Sequence, residues 1–310
     1  MSVACLKISS NQKFYPSQLK SNIMTDQTTD KKSLSFTKMH GLGNDFIMVN
    51  GVTQHIELSK EKITALAHRQ FGIGFDQLLI VEPPTSAYLD FSYRIFNLDG
   101  SEVEHCGNGA RCFASYVYQQ GLSTNNPLKV GTINRELSLK TEVNGDVTVD
   151  MGTPAIEPEE LPFIAPAAAL TYQREIQLGT ENVAIQFSAV SMGNPHAVIE
   201  VKDLNNAAVK EIGTALGSHP DFPEGVNVGF MEIVSRSSIK LRVFERGTGE
   251  TLACGTGACA AVVAGCLRGL LDDNVKVDLP GGQLNIQWQN PNPVMMTGPV
   301  STVYEGTVEI

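Results

Sequence analysis

With 310 residues, 42% of them hydrophobic and 18% charged, the chain can fill the cores of two ordinary domains and does not read as a disordered segment. A formal net charge of −10 opposes general binding to a nucleic-acid backbone, and no apolar run approaches the roughly 18 residues of a membrane span. Six cysteines scattered over this length do not make a disulfide framework; they point to a reducing compartment, the cytoplasm.

Residues 1–33 differ in kind from the rest. Up to Ile23 they hold Lys7, Lys13, Lys20 and several serines but no acid, and Met24 then opens an Asp/Thr/Lys-rich stretch. This is read as an N-terminal extension, with Met24 an alternative start and Cys5 given no role. Folded sequence begins at about Leu34. Phe46–Val49 reads as a strand, with Gly41-Leu-Gly43-Asn44-Asp45 as a turn at its mouth. Ser59 caps a predicted helix running to about Phe71, with Ile63, Leu66, Ala67 and Phe71 on one face and Gly72 and Gly74 ending it. Gln77–Val81 and Ser92–Phe96 read as strands, and Asn97-Leu-Asp-Gly100 as a turn. From Gly107 a helix is expected, burying Ala110, Phe113, Ala114 and Val117 and ending at Gly121. The alternating Leu137, Leu139, Thr141 and Val147, Val149, Met151 around Asn144-Gly145 predict a hairpin.

Pro154, Pro158, Pro162 and Pro166 mark an irregular stretch, and a domain boundary is placed at about 150. Strands follow at Val183–Val190, Ala197–Val201, Asn227–Val234 and Ile239–Phe244, with a helix over Ala207–Leu216 between them. A second helix spans Thr256–Arg268, and Val275–Leu279 and Leu284–Trp288 form a hairpin around Gly281-Gly282. The expected class is α+β: two pseudo-symmetric tandem domains of mixed or antiparallel sheet, 34–150 and 151–295. The tail 296–310 returns to complete the first.

The chain repeats one unit. Residues 94–110 read RIFNLDGSEVEHCGNGA and residues 242–258 read RVFERGTGETLACGTGA. When Cys106 is laid on Cys254, Arg94, Phe96, Glu102, Gly107, Gly109 and Ala110 fall on Arg242, Phe244, Glu250, Gly255, Gly257 and Ala258. Upstream, Gly43-Asn44 is answered by Gly193-Asn194. A cysteine before a Gly-rich first helical turn sits against free backbone N–H groups and the positive end of the helix, which favour a thiolate and an anionic substrate group. Two such units facing one another can take a proton from one face of a carbon and return one to the other. With an ordinary thiol value of about 8.5, modest tuning leaves one partner charged and the other protonated near neutrality.

The motifs Met39-His-Gly-Leu-Gly-Asn-Asp-Phe46, Gly72-Ile-Gly-Phe-Asp-Gln77, Cys106-Gly-Asn-Gly-Ala-Arg-Cys112, Gly193-Asn-Pro-His196, Gly225-Val-Asn227, Glu245-Arg246 and Ala253-Cys-Gly-Thr-Gly-Ala258, with Asn97-x-Asp-Gly-Ser101, resemble those of diaminopimelate epimerases. The resemblance runs in order from about Phe36 to the C-terminus. It implies a homodimeric, cofactor-independent isomerase that interconverts LL- and meso-2,6-diaminopimelate for lysine and peptidoglycan synthesis. Each domain would be wrapped around a central helix, with the site in the cleft between domains. On this resemblance Cys106 and Cys254 are the acid–base pair. Asn44, Gln77, Asn97, Asn194, Asn227 and Arg246 contact substrate, and Gly107, Asn108, Gly255 and Thr256 hold the reacting carboxylate. Glu245 meets the reacting amino group, and His196 with Glu245 tunes the thiols. No metal and no cofactor are expected, nor a nucleic-acid or membrane partner; the substrate is a small zwitterion over which the domains close.

Other readings apply residue by residue. Cys112, Cys259 and Cys266 lie among apolar neighbours in predicted helices and read as packing residues. Each Asn alone suits a turn cap, His196 suits a structural histidine, and Glu245-Arg246 suits a surface pair. A two-cysteine racemase of another amino acid and a non-catalytic carboxylate-binding protein remain as alternatives.

Overall fold

Leu34, Phe36 and Met39 turn inward from a first strand, β1 (Ser33–Gly41), in a computed structural model that describes residues 33–103 and 106–310. The extension up to Lys32, Cys5, Glu104 and His105 lie outside the described residues. β1 turns through Leu42 and Gly43, both at positive φ (57° and 87°), into β2 (Asn44–Asn50). Two such residues make the tight hairpin whose twist matches its strands. A helix, α1 (Lys60–Ala67), carries the chain to β3 (Gln77–Glu82), which lies parallel to β2. β4 (Phe91–Asn97) and the short β5 (Glu102–Val103) then lead to α2 (Gly107–Gln119). β6 (Leu128–Gly131), β7 (Glu136–Thr141) and β8 (Val147–Asp150) close this half as an antiparallel run.

α1 is shorter than its sequence suggests. Ser59 caps it as expected, its side chain accepting from Lys62 N at 3.3 Å, but the helix stops at Ala67, where His68 turns extended. Ile73 N and Gly74 N then fold back onto Leu66 O. Phe71, expected on the apolar face, is 89% exposed. A Cβ on Gly72 would lie 2.3 Å from Ala65 O, so the fold-back depends on glycine there.

The stretch rich in prolines carries a single 3₁₀ turn at Pro158–Glu160. The second half runs β9 (Tyr172–Leu178), β10 (Glu181–Ser191), β11 (Pro195–Glu200), α3 (Val209–Gly217), β12 (Asn227–Ser235) and β13 (Ser238–Glu245). It continues through β14 (Gly249–Thr251), α4 (Gly255–Leu267), β15 (Asn274–Leu279), β16 (Gly282–Gln287), β17 (Met295–Gly298) and β18 (Ser301–Glu309). The sequence pattern gives no strand for β1, β5, β6, β9, β14, β17 or β18.

Each pairing in one half has a counterpart in the other. β2 and β3 run parallel, as do β11 and β12; β4 lies between β3 and β5 as β13 lies between β12 and β14; β4 is parallel to β6 as β13 is to β15. β17 pairs with β16 on one side and β8 on the other, and β18 runs antiparallel to β1. The described strands form one mixed sheet, an α+β arrangement in which α2 and α4 are the enclosed helices. Ala110, Phe113, Ala114 and Val117 of α2 are fully buried, and α4 is buried from Gly257 through Ala264. A helix apolar on every side belongs in the middle of a core. No helix among the described residues is long and apolar enough to cross a membrane.

Candidate active site

β4–β5 and β13–β14 each deliver the chain to a helix whose residue before the first turn is a cysteine. Cys106 stands there for α2 and Cys254 for α4, both with extended backbone. Cys106 Sγ accepts from Gly109 N at 3.5 Å and lies 3.7 Å from Asn44 Oδ1; Cys254 Sγ is 3.6 Å from Thr256 Oγ1. The first glycine of each helix lies close to one flexible side chain. A Cβ on Gly107 would lie 2.8 Å from Met296 Cε, and one on Gly255 would lie 3.0 Å from Met296 Sδ, so this one side chain packs against both helix starts.

Both cysteines open on one cleft of about 780 Å³, a size usual for a small-molecule site. Eleven of the residues singled out from sequence line it: Asn44, Gln77, Asn97, Cys106, Gly107, Asn108, Asn194, Glu245, Cys254, Gly255 and Thr256. Gln77 Nε2 donates to Asn97 Oδ1 at 3.0 Å across β3 and β4, and Asn108 Nδ2 donates to Asn44 Oδ1 at 3.3 Å. Asn194 Nδ2 donates to Thr256 Oγ1 at 3.4 Å, and Thr251 Oγ1 donates to Glu245 Oε1 at 2.5 Å.

Three expected residues stand outside the lining. His196 is buried, with Nε2 3.1 Å from Asn194 Oδ1, and reaches Cys254 only through Asn194 and Thr256. Asn227 is buried and acts as a brace: Nδ2 donates to Pro195 O at 3.0 Å and Oδ1 accepts from Arg246 N at 3.0 Å. Arg246 is exposed, and its Nη1 donates to Glu224 O at 2.6 Å.

Asp76 and Arg69, to which sequence assigned no role, also line the cleft, and Asp45 and Lys38 join them in a polar cluster. Asp45 Oδ1 accepts from Asp76 N at 2.9 Å while Asp76 Oδ2 accepts from Asp45 N at 3.0 Å, tying the mouths of β2 and β3 together. Arg69 bridges both carboxylates, Lys38 reaches Asp45 at 2.6 Å, and Asp76 Oδ2 accepts from Asn44 Nδ2 at 2.9 Å. Burial opposes ionisation of Asp45, but Arg69 and Lys38 outweigh it and hold its carboxyl well below the ordinary range. The signal was adjacency, since Asp45 follows Asn44 and Asp76 precedes Gln77 in the quoted motifs.

The thiols differ from expectation in one respect. Burial pushes Cys106 above the ordinary thiol value, more than the Gly109 and Asn108 N–H groups pull it down. Cys254 is pushed well above it by burial and then by the Glu245 carboxylate, against Thr256 and the Gly257 N–H. Both sulfurs therefore favour the protonated thiol, because desolvation disfavours the charge more than the donors favour it. His196 is held down to about 3 by burial and by Arg246, and is neutral at pH 7.

Among solved structures, a hydroxyproline epimerase from Agrobacterium vitis, with bound trans-4-OH-L-proline, matches at TM-score 0.66 and 16% identity over 90% of this chain and 93% of that one. A phenazine biosynthesis protein of the PhzF family from Bacillus anthracis matches at 0.63 and 16%, over 90% and 100%. A probable proline racemase from Agrobacterium radiobacter matches at 0.60 and 15%, over 89% and 92%. At these identities the likeness is one of fold. The family model described as diaminopimelate epimerase matches residues 36–157 and 188–303. These two segments take in both cysteine units and every cleft residue named above, and the chain belongs to the diaminopimelate epimerase family of isomerases.

Proposed function

We propose that the protein interconverts LL-2,6-diaminopimelate and meso-diaminopimelate by proton transfer at one α-carbon, with Cys106 and Cys254 as the acid–base pair. One observation carries the reading: two cysteines, each at the start of a buried helix, open on the same cleft. One sulfur, as thiolate, takes the α-proton; the electron pair left on carbon spreads into the carboxylate; the other thiol returns a proton to the opposite face. The net change is inversion at carbon, with one thiolate and one thiol before and after.

The carboxylate receives charge in this step, so donors aimed at it lower the barrier. Free N–H groups in the first turns of α2 and α4, at Gly107, Asn108, Gly255 and Thr256, suit that task. Glu245 suits the reacting ammonium. At the distal end Asn44, Gln77, Asn97 and Asn194 offer amides, and Arg246 with Asn227 supplies a guanidinium for a second carboxylate once it turns inward. Cleft closure over the substrate would bring Arg246 in and exclude water. His196 would act on Cys254 through Asn194 and Thr256. The same reading takes the enzyme as a cytoplasmic homodimer without metal or cofactor, its halves 34–150 and 151–295 folding as repeated domains with 296–310 joined to the first.

Incubating the reduced protein with LL-diaminopimelate in deuterated water tests this. Formation of the meso isomer with deuterium at the α-carbon is expected. Parallel tubes with proline and trans-4-hydroxy-L-proline test for an epimerase of another amino acid, which would share the cysteines and differ at the distal contacts. Exchange into one of these alone overturns the substrate; exchange into none overturns the chemistry.

A further inference from the structure

Behind Asn44 stands a carboxylate. Asn44 Nδ2 donates to Asp76 Oδ2 at 2.9 Å, and the same oxygen accepts from Asp45 N at 3.0 Å. Asp76 Oδ1 meets Arg69 Nη2 at 2.7 Å. A carboxylate paired in this way only accepts hydrogen bonds. The Asn44 amide therefore has one way to face, with its amino group to Asp76 and its carbonyl oxygen away from it. That oxygen meets two groups on its other side, Cys106 Sγ at 3.7 Å and Asn108 Nδ2 at 3.3 Å. The thiol is the donor in the first contact, since a carbonyl oxygen offers no proton. Backbone holds the carboxylate in place: Asp76 N donates to Asp45 O at 3.0 Å and to Asp45 Oδ1 at 2.9 Å.

The second half turns its amide the other way. Asn194 answers Asn44 in the repeat, and His196 lies opposite Asn227 in β11 and β12 as Phe46 lies opposite Gln77 in β2 and β3. At the place of Asp76 stands Val226, fully buried and without a polar side-chain group. His196, at the place of Phe46, acts instead: its Nε2 lies 3.1 Å from Asn194 Oδ1, and Asn194 Nδ2 donates to Thr256 Oγ1 at 3.4 Å. Thr256 Oγ1 is in turn 3.6 Å from Cys254 Sγ. One reacting sulfur thus faces a carbonyl oxygen, and the other a hydroxyl held by an amino group. The other groups acting on Cys106 are the Gly109 and Asn108 N–H groups and the Arg111 guanidinium, which favour the anion, and the Glu245 carboxylate, which opposes it. Tyr93 is bonded at the Cys106 backbone and Cys112 is a second buried thiol. Asp45, Lys38 and Arg69 complete the charges around Asp76.

We propose that Asp76 is a positioning residue acting through Asn44: its carboxylate locks the Asn44 amide with the carbonyl oxygen on the Cys106 S–H, and so holds Cys106 in the proton-bearing form from which it acts as the acid. An acceptor on the neutral thiol favours it over the thiolate. The assignment rests on Cys106 and Cys254 being the reacting pair. It gives the two repeated asparagines different work, because the residue that sets each amide comes from a different place. Asp76 directly precedes β3, whereas His196 lies in β11, the counterpart of β2.

Iodoacetamide alkylation of the reduced protein across pH, followed at the Cys106 peptide by mass spectrometry, tests this without any substrate. Asp76→Ala frees the Asn44 amide to turn its amino group to Cys106, and the Cys106 midpoint should fall by about half a pH unit or more. In Asp76→Asn the Asp45 N–H, which cannot turn away, keeps a carbonyl oxygen on its side. Asn44 then stays as it is, and the midpoint should lie close to the native one. Loss of the carboxylate charge by itself would lower the midpoint equally in both variants, and a purely structural role would lower the melting temperature and leave the midpoint in place. Equal shifts in the two variants, or no shift in folded Asp76→Ala, overturn the proposal. Should Asp76→Ala fail to fold, Asp76→Val, the residue that the repeat carries at this place, is measured under the same criteria. Failure of diaminopimelate turnover would leave this result untouched, so the two readings fail separately.

Discussion

Arg94 holds Glu102 through two hydrogen bonds, Nε to Oε1 at 2.7 Å and Nη2 to Oε2 at 2.8 Å, and so pins β5 to β4 just before Cys106. The repeat reproduces the grip. Arg242 meets Glu250 at 2.6 and 2.9 Å, pinning β14 to β13 before Cys254. These are the side chains the two sequence copies share without any turn requiring them. A two-point pair between partly exposed groups stabilises by about 1 kcal/mol or less, so its larger effect is on where the cysteine strand lies. Glu102→Gln and Glu250→Gln should each lower the melting temperature slightly while reducing kcat several-fold. Normal kcat in both variants would leave the pair a purely surface feature.

Replacing either reacting thiol should stop epimerisation. Cys106→Ala and Cys254→Ala each remove one sulfur, the first from the cap of α2 and the second from the core at the start of α4, and each leaves a small side chain in place. Unchanged circular dichroism with turnover reduced by about a thousandfold or more is expected, in line with loss of a general acid or base and its partner. Near-normal turnover in either variant would sink the two-base mechanism.

The packing thiols make stability fall at high pH. Burial pushes Cys112 and Cys259 up to about 12, both against the pull of Arg111. An unfolded chain releases these protons at about 8.5, so above that pH the folded form binds more protons than the unfolded one. Their contribution is complete below about 8.5 and is lost as pH climbs toward 12. The melting temperature should therefore decline from about pH 8.5 upward, and less steeply in a Cys112→Ala, Cys259→Ala double variant measured by calorimetry.

His196 has the opposite sign. Its folded value is depressed to about 3 by burial and by Arg246, while an unfolded histidine protonates at about 6.5. Stability from this group is complete above about 6.5 and is lost as pH falls toward 3, at up to about 1.4 kcal/mol per pH unit. The His196 ring signals should not move between pH 5 and 8 in NMR spectra. The acid side of the stability curve should flatten in His196→Gln, and a ring titrating near 6.5 would contradict the buried neutral histidine.

Gly281 links the hairpin β15–β16 to the turn of β1–β2. Its N–H donates to Leu252 O at 2.8 Å, and a Cβ there would lie 2.0 Å from Leu42 O. Because the obstructing atom is backbone, it has no rotamer by which to yield. Gly281→Ala should destabilise by about 1–3 kcal/mol in denaturant titration and raise KM, since Leu252 lines the cleft.

Much of this protein is written in short-range pattern. The two cysteine units, the hairpins at Asn144-Gly145 and Gly281-Gly282, and the buried faces of α2 and α4 follow from alternation, helical spacing and turn residues, because these act between neighbours along the chain. Other features depend on what the folded chain brings close. The early end of α1, the strand β9 and the reciprocal clasp of Asp45 with Asp76 depend on pairing that local preference does not encode. The same is true of charge. Sequence placed Cys106 and Cys254 at helix starts, where isolated helices favour thiolates, but burial in the folded cleft reverses that balance. Arg111 reads as one more charged residue in a motif, and only the packing of Gly41, Met296 and Gly298 around it makes it a core cation without a carboxylate partner among the described residues. Desolvation is a property of the whole surrounding volume, and that volume exists only after distant strands have come together.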